Sequence, residues 1–142
     1  FFDECQDYEV EYIEKHGGEL FEGVRESLET LKNEGFRMAI VSNCQKGYIP
    51  AFLNSMDMGE YFCDIEEWGN TLKAKSENIS LVMERNCSEK AIYIGDTQGD
   101  KDAADGALIP FIHAAYGFGR VPKADFKIRS FRELLTYTCW LE

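Results

Sequence analysis

The sequence has no excess of positive charge. Its 142 residues hold 26 acidic against 15 basic side chains, which gives a net charge of −11. This balance argues against a nucleic acid or an anionic membrane surface as a partner, because both attract basic patches. It is still compatible with a small phosphate-bearing ligand, since local charges govern a small site.

Long apolar runs and paired cysteines are also missing. No stretch approaches the length of a membrane-spanning helix, and these residues include no signal-peptide pattern. The cysteines form neither a CxxC pair nor a Cys and His spacing that suits zinc, and an odd, dispersed set is typical of reduced thiols. They are Cys5, Cys44, Cys63, Cys87 and Cys139. We therefore expect a cytoplasmic protein that does not bind membranes.

What remains is the composition of a packed domain. Hydrophobic residues make up 44% of the chain and aromatic residues 13%, which argues against disorder. The length suits one domain with a real core and not two large ones. No internal repeat, low-complexity segment or linker interrupts the chain.

Helix and strand patterns alternate along the chain, which is typical of an α/β layer architecture. Apolar periodicity and glycine stops predict helices at 1–18, 20–35, 45–58 and 131–140, with two more carrying residues 79–83 and 103–107. Short apolar runs predict strands at 36–41, 61–65, 91–94, 109–114 and 126–128. Pro50 fits only the first turn of its helix, and Ser76 is the predicted N-cap of the helix that carries residues 79–83.

The most informative stretch is AIYIGDTQGDKDAADGA, residues 91–107. The stretch predicts a buried strand that ends in a turn at Gly95. Asp96 and Asp100 follow the turn and precede a predicted helix. In open α/β sheets this is where ligand sites lie. An acidic, solvated loop is the simpler interpretation. However, neighbouring carboxylates repel each other unless a cation offsets them, so the stretch favours a metal site.

Further polar residues follow other predicted strands or begin predicted helices. Ser42 and Asn43 end the strand at 36–41, and Lys75 precedes the helix that carries residues 79–83. A hydroxyl and nearby backbone N–H groups can hold phosphate oxygens, and a lysine at a helix N-terminus adds charge where anions are already favoured. Asp96 offers the hard oxygen ligand that Mg²⁺ prefers. The set predicts a phosphoryl group bound beside a divalent cation.

Each of these residues also has an ordinary structural explanation. Ser42 could be a plain hydroxyl at a strand end, Lys75 a solvated side chain, and Asp100 the N-cap of its helix. It is their joint order along the chain that favours a functional site.

That order resembles the haloacid dehalogenase-like hydrolase superfamily, and within it the phosphoglycolate-phosphatase-like branch. The resemblance covers roughly residues 20–135. Three short features match: the helix entry at Gly23-Val24, the strand end Val41-Ser42-Asn43, and Lys75 at its helix start. The longest match is Tyr93-Ile94-Gly95-Asp96-Thr97-Gln98-Gly99-Asp100, which continues as Lys101-Asp102-Ala103-Ala104. The last is the loop Tyr116-Gly117-Phe118-Gly119, which is followed by Ala124-Asp125.

The resemblance implies a Rossmann-like, doubly wound α/β fold, with a mostly parallel sheet and helices on both faces. Residues 20–142 would form the core domain, incomplete at its N-terminus. Residues 1–19 would be a remnant of the cap module or its linker helix. The resemblance also implies Mg²⁺ as the cofactor. Asp96 would be a direct ligand of the ion, and Asp100 would act on it indirectly, through a direct ligand or through a bound water.

The same resemblance assigns the phosphate-binding residues. Ser42 would donate a hydrogen bond to the phosphoryl oxygens, and Asn43 would shape the pocket. Lys75 would neutralise charge on the substrate and on a phosphorylated intermediate, with Lys73 as the alternative lysine. The implied catalytic set in this chain is Ser42, Lys75 and Asp96.

One family feature is absent. Family members begin with a strand that ends in a pair of aspartates, DxD, of which the first is the nucleophile and the second the general acid and base. Residues 1–5 read FFDEC, with Cys5 in place of the second aspartate and a helical pattern after it. Together with the missing initiator Met, this makes us expect the carboxyl-terminal part of a longer protein that is inactive alone. Because the family's first strand runs through the middle of its sheet, we also expect open backbone edges, repaired by rearrangement, self-association or a second chain.

We therefore expect a Mg²⁺-dependent phosphomonoester hydrolase that acts on a small phosphorylated metabolite through an aspartyl-phosphate intermediate. Phosphoglycolate, sugar phosphates, nucleotides and pyrophosphate all stay open as substrates. The alternative is a catalytically degenerate module that binds phosphate or metal. A nucleotide-binding Rossmann domain fits less well because no GxGxxG follows a strand, and a receiver-like module fits the order Ser, Lys, Asp, Asp poorly.

Overall fold

A computed structural model describes residues 2–141, and the side chains of residues 7–141. Helices and strands alternate along most of the chain. In order they are α1 Phe2–His16, α2 Val24–Asn33, β1 Ala39–Ser42, α3 Tyr48–Ser55, a 3₁₀ turn Gly59–Tyr61, β2 Asp64–Glu67, α4 Trp68–Thr71, α5 Lys75–Arg85, β3 Tyr93–Gly95, α6 Gln98–Gly106, β4 Phe111–Ala114, β5 Lys127–Ile128 and a C-terminal 3₁₀ helix Phe131–Leu141.

All pairings between the described strands are parallel, and they form two separate sheets. β1 pairs with β2, and β3, β4 and β5 pair in that order. This confirms the predicted Rossmann-like α/β fold. The break falls between β1 and β3, so the predicted open edges are present. Within residues 2–141 no rearrangement joins the two sheets.

Apolar side chains pack on each side of this break. One cluster joins Leu28 of α2 with Ile49 and Leu53 of α3, and another joins Ile112 of β4 and Ile128 of β5 to the C-terminal 3₁₀ helix. A cavity of about 640 Å³ lies between β1 and β3. The core is therefore well packed at its two ends and open along the break.

The strand predicted at 61–65 lies three residues later, so that prediction is wrong in position. Tyr61 ends a 3₁₀ turn, and β2 begins at Asp64. The Cys63 N–H donates to the Met38 carbonyl at 2.8 Å, and Ala39 lies opposite Asp64 in the ladder. Pairing with β1, which local apolar content cannot reveal, decides where this strand begins.

The predicted closing helix is a 3₁₀ helix over Phe131–Leu141. Its apolar residues Phe131, Leu134, Tyr137 and Trp140 recur every third position and all pack into one cluster. Side chains three residues apart eclipse each other in a 3₁₀ helix, so this spacing presents them as a single row. The Tyr137 and Trp140 rings meet edge to face, with centroids 4.9 Å apart.

One prediction at a helix start needs correction, and one of the ordinary structural explanations does not hold. α5 begins at Lys75 with Ala74 as its N-cap, so Ser76 lies inside the first turn and is not the cap. Asp100 is not an N-cap either, because Thr97 caps α6. Pro50 lies in the first turn of α3, as predicted.

The N-terminal helix α1 packs against α3, and the Gly18 N–H contacts the Met56 sulfur at 3.2 Å. Whether residues 1–19 belong to a separate module stays a prediction. No helix within residues 2–141 combines the length and the apolar character needed to span a membrane. The four cysteines whose side chains are described are free thiols, and Cys5 lies outside the described side chains.

Candidate active site

The start of α6 brings Asp100 back onto the end of β3. Thr97 and Asp100 form a capping box, in which the Asp100 N–H donates to the Thr97 hydroxyl at 3.1 Å. In return, Oδ2 of Asp100 accepts the N–H groups of Asp96 and Thr97 at 3.1 and 3.2 Å. Reciprocal capping of this kind fixes both the helix start and the strand end.

The other oxygen of Asp100 binds Lys75. Oδ1 of Asp100 lies 2.5 Å from Nζ of Lys75, and both side chains are largely buried. Burial alone would raise the pKa of Asp100, but the hydrogen bonds and positive charge of Lys75, together with Thr97, outweigh it and hold that pKa below its ordinary value. Asp100 is therefore a fixed anion that orients a buried cation at the end of β3.

Two glycines allow the backbone to come close to these carboxylates. A Cβ at Gly95 would lie 2.5 Å from the Cβ of Asp100, and one at Gly117 would lie 2.4 Å from the Cβ of Asp96. Both distances are far shorter than a carbon–carbon contact allows. The glycine in Gly95-Asp96 is therefore needed for close packing against Asp100.

Asp96 differs from Asp100 in the hydrogen bonds that its carboxylate forms. Its Oδ2 accepts the Phe118 N–H at 2.8 Å, and its other oxygen forms no hydrogen bond to the described residues. No group of three or more His, Cys, Asp or Glu side chains capable of holding a metal ion occurs among the side chains that the structure describes. Mg²⁺ commonly takes only one or two carboxylates and fills its shell with water and phosphate oxygens. Asp96 thus fits a direct Mg²⁺ ligand, whereas Asp100, hydrogen-bonded at both oxygens, fits only an indirect role.

Asn43 and Lys75 line one open cavity of about 530 Å³ at the carboxyl edge of the sheet. Ser42 ends β1, and its side chain lies beside the Cys44 thiol. Among the described residues no hydrogen bond joins Ser42 to Lys75, Asp96 or Asp100. The structure therefore brings Asp100 into contact with Lys75 and with the Asp96 backbone, and places Asn43 on the same cavity as Lys75. Ser42 stays at the end of β1.

The structure also separates the two candidate lysines. Lys73 is exposed, and its N–H donates to the Thr71 hydroxyl at 3.2 Å. Lys75, two residues later, is the lysine that contacts Asp100.

Sequence reasoning missed Glu67, which shapes the loop after β1. Its buried carboxylate accepts the Gly47 and Ile49 N–H groups at 2.9 and 2.7 Å, at the start of α3. Free N–H groups at a helix start need such an acceptor. The strand predicted at 61–65 ended two residues before Glu67, and nothing in the sequence pairs this carboxylate with α3.

Sequence reasoning also missed the role of Tyr93, which it treated only as a strand residue. Its hydroxyl donates to the Val41 carbonyl at 2.7 Å, across the break between β3 and β1. Burial and the nearby charges of Asp100 and Asp96 raise the pKa of Tyr93 above its ordinary value. The phenol therefore stays protonated and available as a donor.

Comparison with known proteins places this site in a family. The sequence profile of the haloacid dehalogenase-like hydrolases matches residues 3–114. The chain belongs to that family.

Curated relatives lie in the predicted branch of the family. A phosphoglycolate phosphatase of Vibrio parahaemolyticus is 29% identical over 126 residues, which cover 82% of this chain and 55% of that protein. One from Pseudomonas savastanoi pv. phaseolicola is 27% identical over 116 residues, or 75% of this chain and 41% of that protein. The chain thus spans about half the length of these relatives.

Solved structures agree on the fold. A haloacid dehalogenase-like family hydrolase from Streptococcus pneumoniae superposes with a TM-score of 0.77 at 21% identity, covering 84% of this chain and 60% of that one. One from Ehrlichia chaffeensis gives 0.73 at 24% identity, with 87% and 59% covered. The predicted family and branch are confirmed, and the roles of individual residues stay predictions.

Proposed function

We propose that the natural protein containing these residues is a Mg²⁺-dependent phosphomonoester hydrolase. It acts on a small phosphorylated metabolite through an aspartyl-phosphate intermediate. The observation that carries this proposal is the contact of Lys75 with Asp100, directly beside Asp96 at the carboxyl edge of the sheet. A buried cation next to a carboxylate with a free oxygen suits a phosphate and a divalent metal together.

Each residue has a chemical task in this proposal. Lys75 places positive charge at the N-terminus of α5, where phosphate oxygens are already favoured. Ser42 donates a hydrogen bond to the phosphoryl group, and Asn43 borders its pocket. Asp96 holds Mg²⁺, which when bound neutralises charge on the phosphate oxygens. Asp100 holds Lys75 and the Asp96 backbone in place.

The aspartyl-phosphate route needs a carboxylate in line with phosphorus. No strand within residues 2–141, the part that the structure describes, ends in paired aspartates. We therefore propose that the 142-residue chain alone does not turn over substrate, and that the nucleophile belongs to a longer natural chain.

The substrate proposal is a small phosphorylated metabolite in the cytoplasm, and not a nucleic acid. The activity named for the relatives makes phosphoglycolate the first compound to test. Sugar phosphates, nucleotides and pyrophosphate follow.

The test is a steady-state assay of phosphate release by the natural protein with and without Mg²⁺. We expect Mg²⁺-dependent turnover that Lys75→Met reduces by at least about a hundredfold, as when a charge-stabilising group is removed. Lys73→Met is the matched control, because Lys73 is exposed, and it should keep wild-type activity. The proposal would be refuted by equal turnover with and without Mg²⁺, or by equal effects of the two substitutions on turnover.

One observation favours a second candidate, a catalytically degenerate module that binds phosphate or metal. Asp100 uses both oxygens within the protein, which leaves Asp96 as the one carboxylate available near Lys75 among the described contacts. Phosphate binding by the natural protein without hydrolysis of any phosphomonoester would support this candidate.

A further inference from the structure

The loop that follows β4, residues 115–119, lies directly against Asp96. The Phe118 N–H donates to Oδ2 of Asp96 at 2.8 Å. A Cβ added at Gly117 would lie 2.7 Å from that same oxygen, and one added at Gly119 would overlap the Asp96 carbonyl oxygen. Three consecutive residues of the loop therefore pack against one aspartate, on its side chain and on its backbone.

The two glycines of this loop are needed for close approach and not for a turn. Neither Gly117 nor Gly119 has its backbone in the left-handed region that favours glycine. Alanine could adopt the same backbone at either position, but it would lack space beside Asp96. The loop is therefore built to reach that residue closely.

The same loop is anchored on the side away from Asp96. The Ala115 N–H donates to the Ile128 carbonyl of β5 at 2.9 Å, and the Gly117 N–H closes a turn on the Ala114 carbonyl at 3.0 Å. The Tyr116 ring packs into the apolar cluster beside the C-terminal 3₁₀ helix. These contacts hold the loop in place, so the N–H that follows Gly117 is a fixed donor.

Phe118 contributes its backbone to this arrangement and not its side chain. The Phe118 ring is 95% exposed, whereas its N–H is fixed on Oδ2 of Asp96. The other oxygen of Asp96, Oδ1, forms no hydrogen bond to the described residues, and the residue is only half-buried. The loop thus leaves Asp96 one oxygen to offer to a metal ion.

The number of oxygens that a carboxylate offers affects which divalent cation it suits. Ca²⁺ takes about six to eight oxygen ligands in a flexible shell and accepts carboxylates through one oxygen or both. Mg²⁺ is smaller and demands a near-octahedral shell. A carboxylate with one oxygen already bonded to a fixed N–H suits Mg²⁺, and it loses the two-oxygen binding that Ca²⁺ can use.

We propose that the loop 115–119 is a positioning element for Asp96, and that the Phe118 N–H makes the proposed metal site favour Mg²⁺ over Ca²⁺. Phe118 is a positioning residue in this inference, because it acts through Asp96. The inference rests on the proposed function, since it takes Asp96 as the metal ligand. It adds the selectivity of that site and the residues that set it.

The test is metal binding by the natural protein in the absence of substrate. Mn²⁺, which shares the oxygen ligands and octahedral geometry of Mg²⁺, is bound and followed by electron paramagnetic resonance. It is then displaced by Mg²⁺ or by Ca²⁺, and the ratio of the two dissociation constants is the readout. Asp96→Asn should lose most of the bound Mn²⁺, which assigns the signal to this site.

Two substitutions at position 118 isolate the N–H donor. Phe118→Pro removes the N–H, whereas Phe118→Ala keeps it and removes only the exposed ring. We expect Phe118→Pro to lower the preference for Mg²⁺ over Ca²⁺ by about tenfold or more, the size of one hydrogen bond to a charged group. Phe118→Ala should keep the wild-type preference. A general loosening of the fold would weaken both metals alike and leave the ratio unchanged.

Gly117→Ala replaces Phe118→Pro as the deciding variant if the proline variant does not fold. Its new Cβ would push the Asp96 carboxylate away from the Phe118 N–H, so it should lower the same preference. Gly59→Ala is the matched control, because a Cβ there meets nothing within 4 Å and the backbone is not left-handed. It should keep the wild-type preference.

Failure of this inference differs from failure of the proposed function. A folded Phe118→Pro variant with the wild-type preference for Mg²⁺ would overturn the inference while the metal site stands. Where that variant does not fold, an unchanged preference in Gly117→Ala would do the same. A wild-type protein that binds neither Mn²⁺ nor Mg²⁺ would instead refute the proposed function, and the inference with it.

Discussion

Lys75 and Asp100 form a largely buried ion pair, with 2.5 Å between Nζ and Oδ1. The pair joins the start of α5 to the start of α6, and through the Asp96 N–H it reaches the end of β3. The ion pair and the backbone geometry at the carboxyl end of β3 therefore depend on each other. Changes to either partner should affect both stability and the proposed chemistry.

Lys75→Met should destabilise the fold. Removing the cation leaves the Asp100 charge buried without its partner, a change that costs about 3 kcal/mol in comparable buried pairs. Chemical denaturation of the 142-residue chain measures this loss. Lys73→Met, on an exposed side chain, should change the free energy of unfolding by less than about 0.5 kcal/mol. A Lys75→Met variant as stable as the wild type would show that the pair does not hold the fold.

Stability should fall at acidic pH. The folded-state pKa of Asp100 is lowered from its ordinary value of 3.8, so its ionisation stabilises the fold above that value, and the benefit is lost as pH falls through the lower folded pKa. The pKa of Glu66 is also lowered, with Asn70 and Arg85 outweighing its burial. Asp100→Asn should therefore flatten, but not abolish, the decline in melting temperature between about pH 5 and pH 2. An unchanged slope in that variant would contradict this account.

Gly95→Ala should disturb the site directly. The new Cβ would lie 2.5 Å from the Cβ of Asp100, which forces Asp100 or β3 to move and should cost about 1–3 kcal/mol by overpacking. The matched control is Gly99→Ala in α6, where a Cβ meets only the Thr97 hydroxyl at 3.7 Å. That change should be neutral or stabilise the helix by up to about 1 kcal/mol. Thermal unfolding of both variants tests the prediction, and equal effects would disprove it.

Glu67→Leu should loosen the start of α3. It removes the acceptor of the Gly47 and Ile49 N–H groups, and leaving such donors unpaired costs about 1–3 kcal/mol. Glu60→Leu provides a control on an exposed carboxylate. Hydrogen exchange at Gly47 and Ile49 should accelerate only in the first variant. Unchanged exchange at both amides would mean that Glu67 does not cap the helix.

Much of the fold could be predicted from the sequence because its signals are local. The apolar run at 91–94, the glycine after it and the carboxylates beyond identified the end of β3 and the start of α6. Contacts between helices and strands that are distant in sequence could not be predicted in this way. The three-residue displacement of β2 follows from its pairing with β1, and the 3₁₀ form of the C-terminal helix follows from packing of its apolar row.

The candidate site divides in the same way. Lys75, Asp96 and Asp100 could be named from residue type and order, and Asp100 contacts the other two. The roles of Glu67 and Tyr93 depend on partners 18 or more residues away. No periodicity or motif encodes such pairs, so they required coordinates.

The most direct test of the central claim is a crystal structure of the natural protein with Mn²⁺ and inorganic phosphate. We predict one anomalous peak bound to the Asp96 carboxylate, with Asp100 still paired to Lys75. The phosphate should contact Ser42 and the Lys75 ammonium, with Asn43 at the edge of its pocket. A metal bound away from Asp96, or a phosphate bound away from Lys75, would contradict the account.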